Sequence, residues 1–196
     1  MNFVNNYEKS SFSERAAFKN FIKLYNGFKN WEILLTPYDG YDCYDVLLYK
    51  IKDGIITNRM FIEIKIRDCI YDTYFLETKK LNSIKKLCES ELYFTDDEYK
   101  ILYLNFTPQG TFIWDCSVIE KENIKVSKQM MNKATMSSRT KKVNKSKYDL
   151  PISLAKRWDY IWDEKQLIPH YDEYFNNRVK QTIKSDYRFK DILFGI

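Results

Sequence analysis

The sequence predicts an α/β fold built on a mixed central β-sheet, and three observations carry that prediction. Gly and Pro are scarce, 5 and 4 among 196 residues, so the chain has few breakers and favours long regular elements. Hydrophobic residues make up 44% and aromatic residues 17%, enough to build a core beneath a surface drawn from 30% charged residues. Runs with helical spacing alternate with strand-like runs, which points to helices laid against a sheet.

The first helix is expected to start at Ser11-Phe12-Ser13-Glu14, which has the S-x-x-E form of a capping box. It continues through Phe18, Phe21, Ile22, Tyr25 and Phe28 and ends near Gly27 and Asn30. A short strand over 31–36 and a turn-rich stretch over 37–42 follow. Two strands, 45–51 and a long run ending at Ile66, are joined by Lys52-Asp53-Gly54, a hairpin signal. A second amphipathic helix spans 77–90, with Leu81, Ile84, Leu87 and Cys88 on one face. Strands over 100–106 and 111–116 turn about Pro108-Gln109-Gly110. The order is helix, three strands, helix, two strands, and its sheet should be covered on at least one face.

Beyond residue 119 the character changes. Residues 120–147 are rich in Lys and Arg, with only Glu120 and Glu122 as acids, and read as an exposed basic arm. Pro151 suits the start of a helix carrying Leu154, Trp158, Ile161 and Trp162, and a last helix is expected around 171–183. The organisation is therefore a core over 1–119 and a basic arm with a helical extension, packed on that core, over 120–196.

Several function classes are disfavoured at once. The net charge of +5 and pI of 8.8 permit a polyanionic partner without requiring one. Neither a signal-peptide pattern nor a membrane-length apolar run is visible, so a soluble cytoplasmic protein is expected. The cysteines, Cys43, Cys69, Cys88 and Cys116, form no CxxC pair and read as reduced thiols. A single histidine, His170, stands beside no Ser or Cys nucleophile, which argues against triad or His-metal chemistry.

The sharpest local feature is Glu63-Ile64-Lys65 inside an apolar strand. E-x-K alone carries little weight, but strand alternation puts Phe61, Glu63 and Lys65 on one face and Ile62, Ile64 and Ile66 on the other. A three-residue loop at Lys52-Asp53-Gly54 would pair Ile51 with Ile55 and place Asp45 opposite Phe61, diagonal to Glu63 on the same face. A two-residue loop would send Asp45 to the other face. Two carboxylates and an ammonium would then converge, a set suited to Mg²⁺ or Mn²⁺ and phosphodiester hydrolysis.

At these residues the sequence resembles the PD-(D/E)XK nuclease superfamily, of restriction-endonuclease-like fold, over roughly 11–106. The resemblance implies an αβββαβ core, and Asp45, Glu63 and the Ile64 carbonyl as metal ligands with Lys65 as the catalytic lysine. Tyr44 stands where the motif's proline would be, which leaves Asp42 and Asp39 as rivals for Asp45. Glu14, on the Phe18 stripe, is a further candidate ligand, although the capping box also accounts for it, and more simply. Glu77, on the Leu81 face with Lys80 beside it, is a further candidate catalytic acid. The resemblance implies a divalent-metal-dependent nuclease acting on DNA, and a homodimer if both strands of a duplex are cut. Lys133, Arg139, Lys141, Lys142, Lys145 and Lys147 are the expected phosphate contacts. The alternative is a catalytically inactive nucleic-acid-binding or assembly protein of the same fold.

Overall fold

The computed structural model describes residues 6–25, 28, 30–37, 42–92, 98–132, 142–163 and 165–166. In chain order these form α1 (Asn6–Leu24), β1 (Glu32–Leu35), β2 (Val46–Lys52), β3 (Ile55–Ile66), β4 (Thr73–Glu77), α2 (Thr78–Leu92) and β5 (Glu98–Thr107). Then come β6 (Gly110–Asp115), the short α3 (Val118–Lys121), β7 (Val126–Asn132), β8 (Lys142–Pro151) and β9 (Lys156–Trp158). The architecture is mixed α/β. A six-stranded sheet runs β1-β2-β3-β5-β6-β9, with β3 and β5 parallel and every other neighbouring pair antiparallel. Apart from the inserted β4, the order from α1 to β5 is the expected αβββαβ.

Helices cover both faces of the sheet, and that burial fixes which side chains reach the site. Ala17, Phe18 and Phe21 of α1 pack on Val46, Leu48, Ile62 and Ile64. Leu81, Ile84 and Cys88 of α2 pack on the opposite face with Leu47 and Phe61. Each fully buried Phe or Leu contributes about 1.5–3 kcal/mol, so α1 is held as firmly as the strands. Among the described residues no helix is long and apolar enough to cross a membrane. None of the four cysteines is in a disulfide.

The β2–β3 hairpin reaches the expected facing by a different route. Its loop has two residues: Lys52 pairs with Ile55, and Asp53 and Gly54 both take positive φ, at 53° and 79°. Alone, that register would send Asp45 to the wrong face. A bulge corrects it, because Ile51 pairs with Ile56 while Lys50 pairs with Asn58, leaving Thr57 as the extra residue. From there the register runs to Val46 opposite Ile62. One further step places Asp45 directly across from Glu63, rather than diagonal to it.

Further expectations are corrected at the ends of elements. α1 begins at Asn6, so Ser11-Phe12-Ser13-Glu14 lies inside the helix and is no capping box. The Ser13 hydroxyl instead donates to the Lys9 carbonyl, at 2.9 Å. Glu77 closes β4 rather than opening α2. The basic arm is a β-hairpin in its described part, since β7 and β8 join β4 in a second, three-stranded sheet. Polar β8 takes strand form because β4, Thr-Tyr-Phe-Leu-Glu, offers an edge for it to pair with, and because Leu150 at its end is fully buried. Pro151 ends β8 instead of starting a helix, and a 3₁₀ turn over Ile152–Leu154 leads into β9, which completes the large sheet. The Pro151 carbonyl accepts the Trp114 indole N–H at 2.9 Å. The helix expected around 171–183, and His170, lie outside the described residues.

Candidate active site

β3 delivers Glu63 and Lys65 to one face, Asp45 stands just before β2, and α1 delivers Glu14 from its third turn. All three carboxylates are buried, each exposed by 7% or less. Lys65 joins two of them. Its Nζ lies 2.9 Å from Glu63 Oε1 and 3.2 Å from Glu14 Oε1, and it donates to the Ile64 carbonyl at 2.6 Å. Asp45 is held separately. The Ile64 N–H donates to Asp45 Oδ2 at 2.7 Å, and Arg15 Nη2 approaches Asp45 Oδ1 at 3.3 Å. Arg15 is itself fixed, donating to the Thr36 carbonyl at 2.8 Å and to the Thr36 hydroxyl at 2.5 Å.

The charges explain one another. Burial and the three carboxylates act in opposite senses on Lys65; the carboxylates win, and its pKa is raised well above the usual lysine value. One central ammonium shared among three acids over-compensates the lysine and under-compensates the acids. Burial and the nearby Asp45 charge accordingly raise Glu63 despite Lys65 and Lys80. Burial pushes Asp45 up too, but Lys65, Arg15, Lys80 and the Ile64 N–H outweigh it, and its carboxyl is held below the usual range. Burial dominates at Glu14, which is pushed up to about 7.

A stability profile follows from Glu14. Because its folded pKa of about 7 lies above the ordinary 4.5, its contribution to stability is complete below pH 4.5 and is lost as the pH rises through 7. The metal-free protein is expected to lose up to about 3 kcal/mol between roughly pH 5 and pH 8, and Glu14→Gln to flatten that loss. Chemical denaturation across the pH range reads it; a parent whose stability is flat or rising there contradicts the account.

Other expected residues fall in different places. Asp42 is exposed, and its contribution to the site is its backbone carbonyl, which accepts from Lys80 Nζ at 3.0 Å. Asp39 lies outside the described residues, as do Lys133, Arg139 and Lys141. Glu77 faces the same cleft as Glu63 but is paired with Lys145 at 2.7 Å. Lys147 is paired with Asp149, and Lys142 is exposed on the cleft wall. The sequence reading assigned no role to Arg15 and placed Lys80 only beside Glu77. Their signal was available: both lie one helical turn before a core residue, Phe18 and Ile84 respectively.

Among the described residues no group of three or more His, Cys, Asp and Glu side chains stands ready to hold a metal ion. The donor chemistry nonetheless fits a hard divalent cation: Glu63, Asp45, Glu14 and the Ile64 carbonyl are all oxygen donors. Glu63 Oε2 is buried, and Lys80 Nζ meets it as an ion pair at 3.0 Å. A cation on Glu63 would compete with Lys80 at Oε2 and with Lys65, a third of whose side chain is exposed, at Oε1.

No protein-family model matches the sequence, and no curated protein matches it. Among solved structures, the chain is similar to a Holliday junction resolvase from the hyperthermophile Archaeoglobus fulgidus. The two share 9% identity with a TM-score of 0.42, covering 74% of this chain and 90% of that chain. A likeness at that level has no bearing on the site.

Proposed function

We propose that the protein is a divalent-metal-dependent nuclease of the PD-(D/E)XK type that hydrolyses phosphodiester bonds in DNA. The observation that carries this reading is the cluster in which Glu14 and Glu63 meet on Lys65 with Asp45 held beside them by the Ile64 N–H, next to a cationic cleft that Glu63 and Lys65 line. Glu63, Asp45, the Ile64 carbonyl and Glu14 would hold Mg²⁺ or Mn²⁺. When bound, the ion supplies Lewis-acid polarisation of the phosphoryl oxygen and acidification of water. Arg15 keeps Asp45 ionised and oriented, so that it can share in holding a cation. Lys65, released from Glu63, orients the attacking water and stabilises charge that develops on the phosphate. Residues 1–119 carry the chemistry, and Lys142 and Lys145 of β8 supply a basic wall opposite it. A homodimer would serve a duplex cut on both strands.

Cleavage of labelled DNA is expected with Mg²⁺ or Mn²⁺ and to be blocked by Ca²⁺, because the donors are oxygens and, among the described residues, neither His nor thiolate joins them in a metal-binding group. Full activity in excess EDTA, or a requirement for zinc, contradicts the proposal. One observation favours a second reading, an inactive nucleic-acid-binding protein: Lys65 and Lys80 already neutralise Glu63, as they would in a purely structural ion cluster. That protein would bind DNA without any metal-dependent turnover.

A further inference from the structure

The cleft above Glu63 and Lys65 measures about 560 Å³, and the β4-β8-β7 sheet walls it on the side opposite β3. Most of its cations have acidic partners: Lys65 with Glu14 and Glu63, Lys80 with Glu63, Lys145 with Glu77. Arg67 differs. Its Nε donates to Asn105 Oδ1 at 3.1 Å, its Nη2 donates to the Tyr103 hydroxyl at 2.9 Å, and its guanidinium lies 4.9 Å from the Phe75 ring centre. These partners are neutral, and among the described residues no carboxylate forms an ion pair with it. The side chain is thus oriented in advance while its charge stays uncompensated, the condition for binding an anion.

Arg67 also stands in register with the chemistry. Its N–H bonds the Phe106 carbonyl at 2.8 Å, which continues the β3–β5 ladder one step and keeps Arg67 on the face of Glu63 and Lys65. Two residues of strand put it roughly 7 Å beyond Lys65, about the stride of one nucleotide in an extended strand. The volume is that of a ligand of one or two nucleotides. Phe75 and Met131 line the same space and offer apolar surface to unstacked bases.

Building on the nuclease reading, we infer that this cleft takes an unpaired nucleic-acid strand and that Arg67 binds the phosphate neighbouring the one positioned over Glu63 and Lys65. This makes Arg67 a substrate-binding residue and the substrate class single-stranded or locally opened nucleic acid. Lys142, exposed on the opposite wall, is placed to meet the same backbone.

The test is fluorescence anisotropy in EDTA with a labelled oligothymidylate and a blunt duplex of equal length, titrated over salt. The parent should bind the single strand at least about tenfold more tightly than the duplex. Arg67→Gln should weaken single-strand binding about ten- to hundredfold and reduce the log–log salt slope by about 0.7. Equal or tighter duplex binding by the parent overturns the inference, as does an unchanged slope in Arg67→Gln. Should circular dichroism show that Arg67→Gln is unfolded, Arg67→Lys decides. It keeps the charge but loses the fork, so the slope should hold while affinity falls, and unchanged affinity overturns the inference. Cleavage assays with Mn²⁺ separate the two proposals. A parent that binds through Arg67 but never cleaves contradicts the nuclease and supports the single-strand site. Glu63-dependent cutting of duplex with Arg67 indifferent does the reverse.

Discussion

Lys65→Ala is expected to destabilise the metal-free protein by about 3 kcal/mol, near the lower limit for a broken buried ion pair because a third of the lysine side chain faces the cleft. The reason lies in the arrangement of charge. Lys65 touches Glu14 and Glu63 and is the largest favourable influence on the Asp45 carboxylate, so its removal leaves three buried acids with Arg15 and Lys80 as the remaining cations. For a chain of this length the loss corresponds to a fall in Tm of about 6–12 °C. Mn²⁺ should restore most of it, because a divalent ion can take the place of the ammonium among the same oxygens. The variant should also bind Mn²⁺ more tightly than the parent, having no internal cation to displace, and yet not turn over. Thermal melts in EDTA and in Mn²⁺ read both effects. A variant that melts with the parent in EDTA and does not respond to Mn²⁺ contradicts this account of the cluster.

Glu63→Gln is expected to reduce cleavage by about 1,000-fold or more while leaving the fold and DNA binding in place. Burial and the Asp45 charge already disfavour the ionised form of Glu63, and glutamine supplies the same shape without the charge. Lys65 and Lys80 lose one partner but keep Glu14 and the Ile64 and Asp42 carbonyls, so the change in stability should stay within about 1 kcal/mol. Single-turnover cleavage beside anisotropy separates turnover from binding. Cleavage within tenfold of the parent would falsify a ligand role for Glu63.

Much of this fold and site could be read from sequence because it rests on local periodicity. The strand alternation that puts Glu63 and Lys65 on one face depends only on the pleat, and Glu14 follows the Phe18, Phe21 stripe of α1. The facing of Asp45 follows from either of two hairpin loops, of which the structure has the two-residue one. A three-residue turn and a two-residue turn plus a bulge at Thr57 give the same parity, and nothing in the residues of the hairpin separates them. The β7–β8 hairpin was illegible because its strands are polar and owe their form to the edge of β4, a non-local partner. Missing that hairpin meant missing the cleft wall, and with it the pairing of Lys145 with Glu77 and the position of Arg67. The expected helix after Pro151 failed for a related reason: the apolar spacing of Leu154, Trp158 and Ile161 is also met by a turn and a short edge strand on β6.

Anomalous scattering from crystals soaked in Mn²⁺ asks whether these oxygens hold a divalent ion at all. A peak is expected within about 2.0–2.6 Å of Glu63, Asp45 and the Ile64 carbonyl oxygen, with Lys65 Nζ withdrawn from Glu63 toward the cleft. A map with no peak there, and with Lys65 still bridging Glu14 and Glu63, would contradict that expectation.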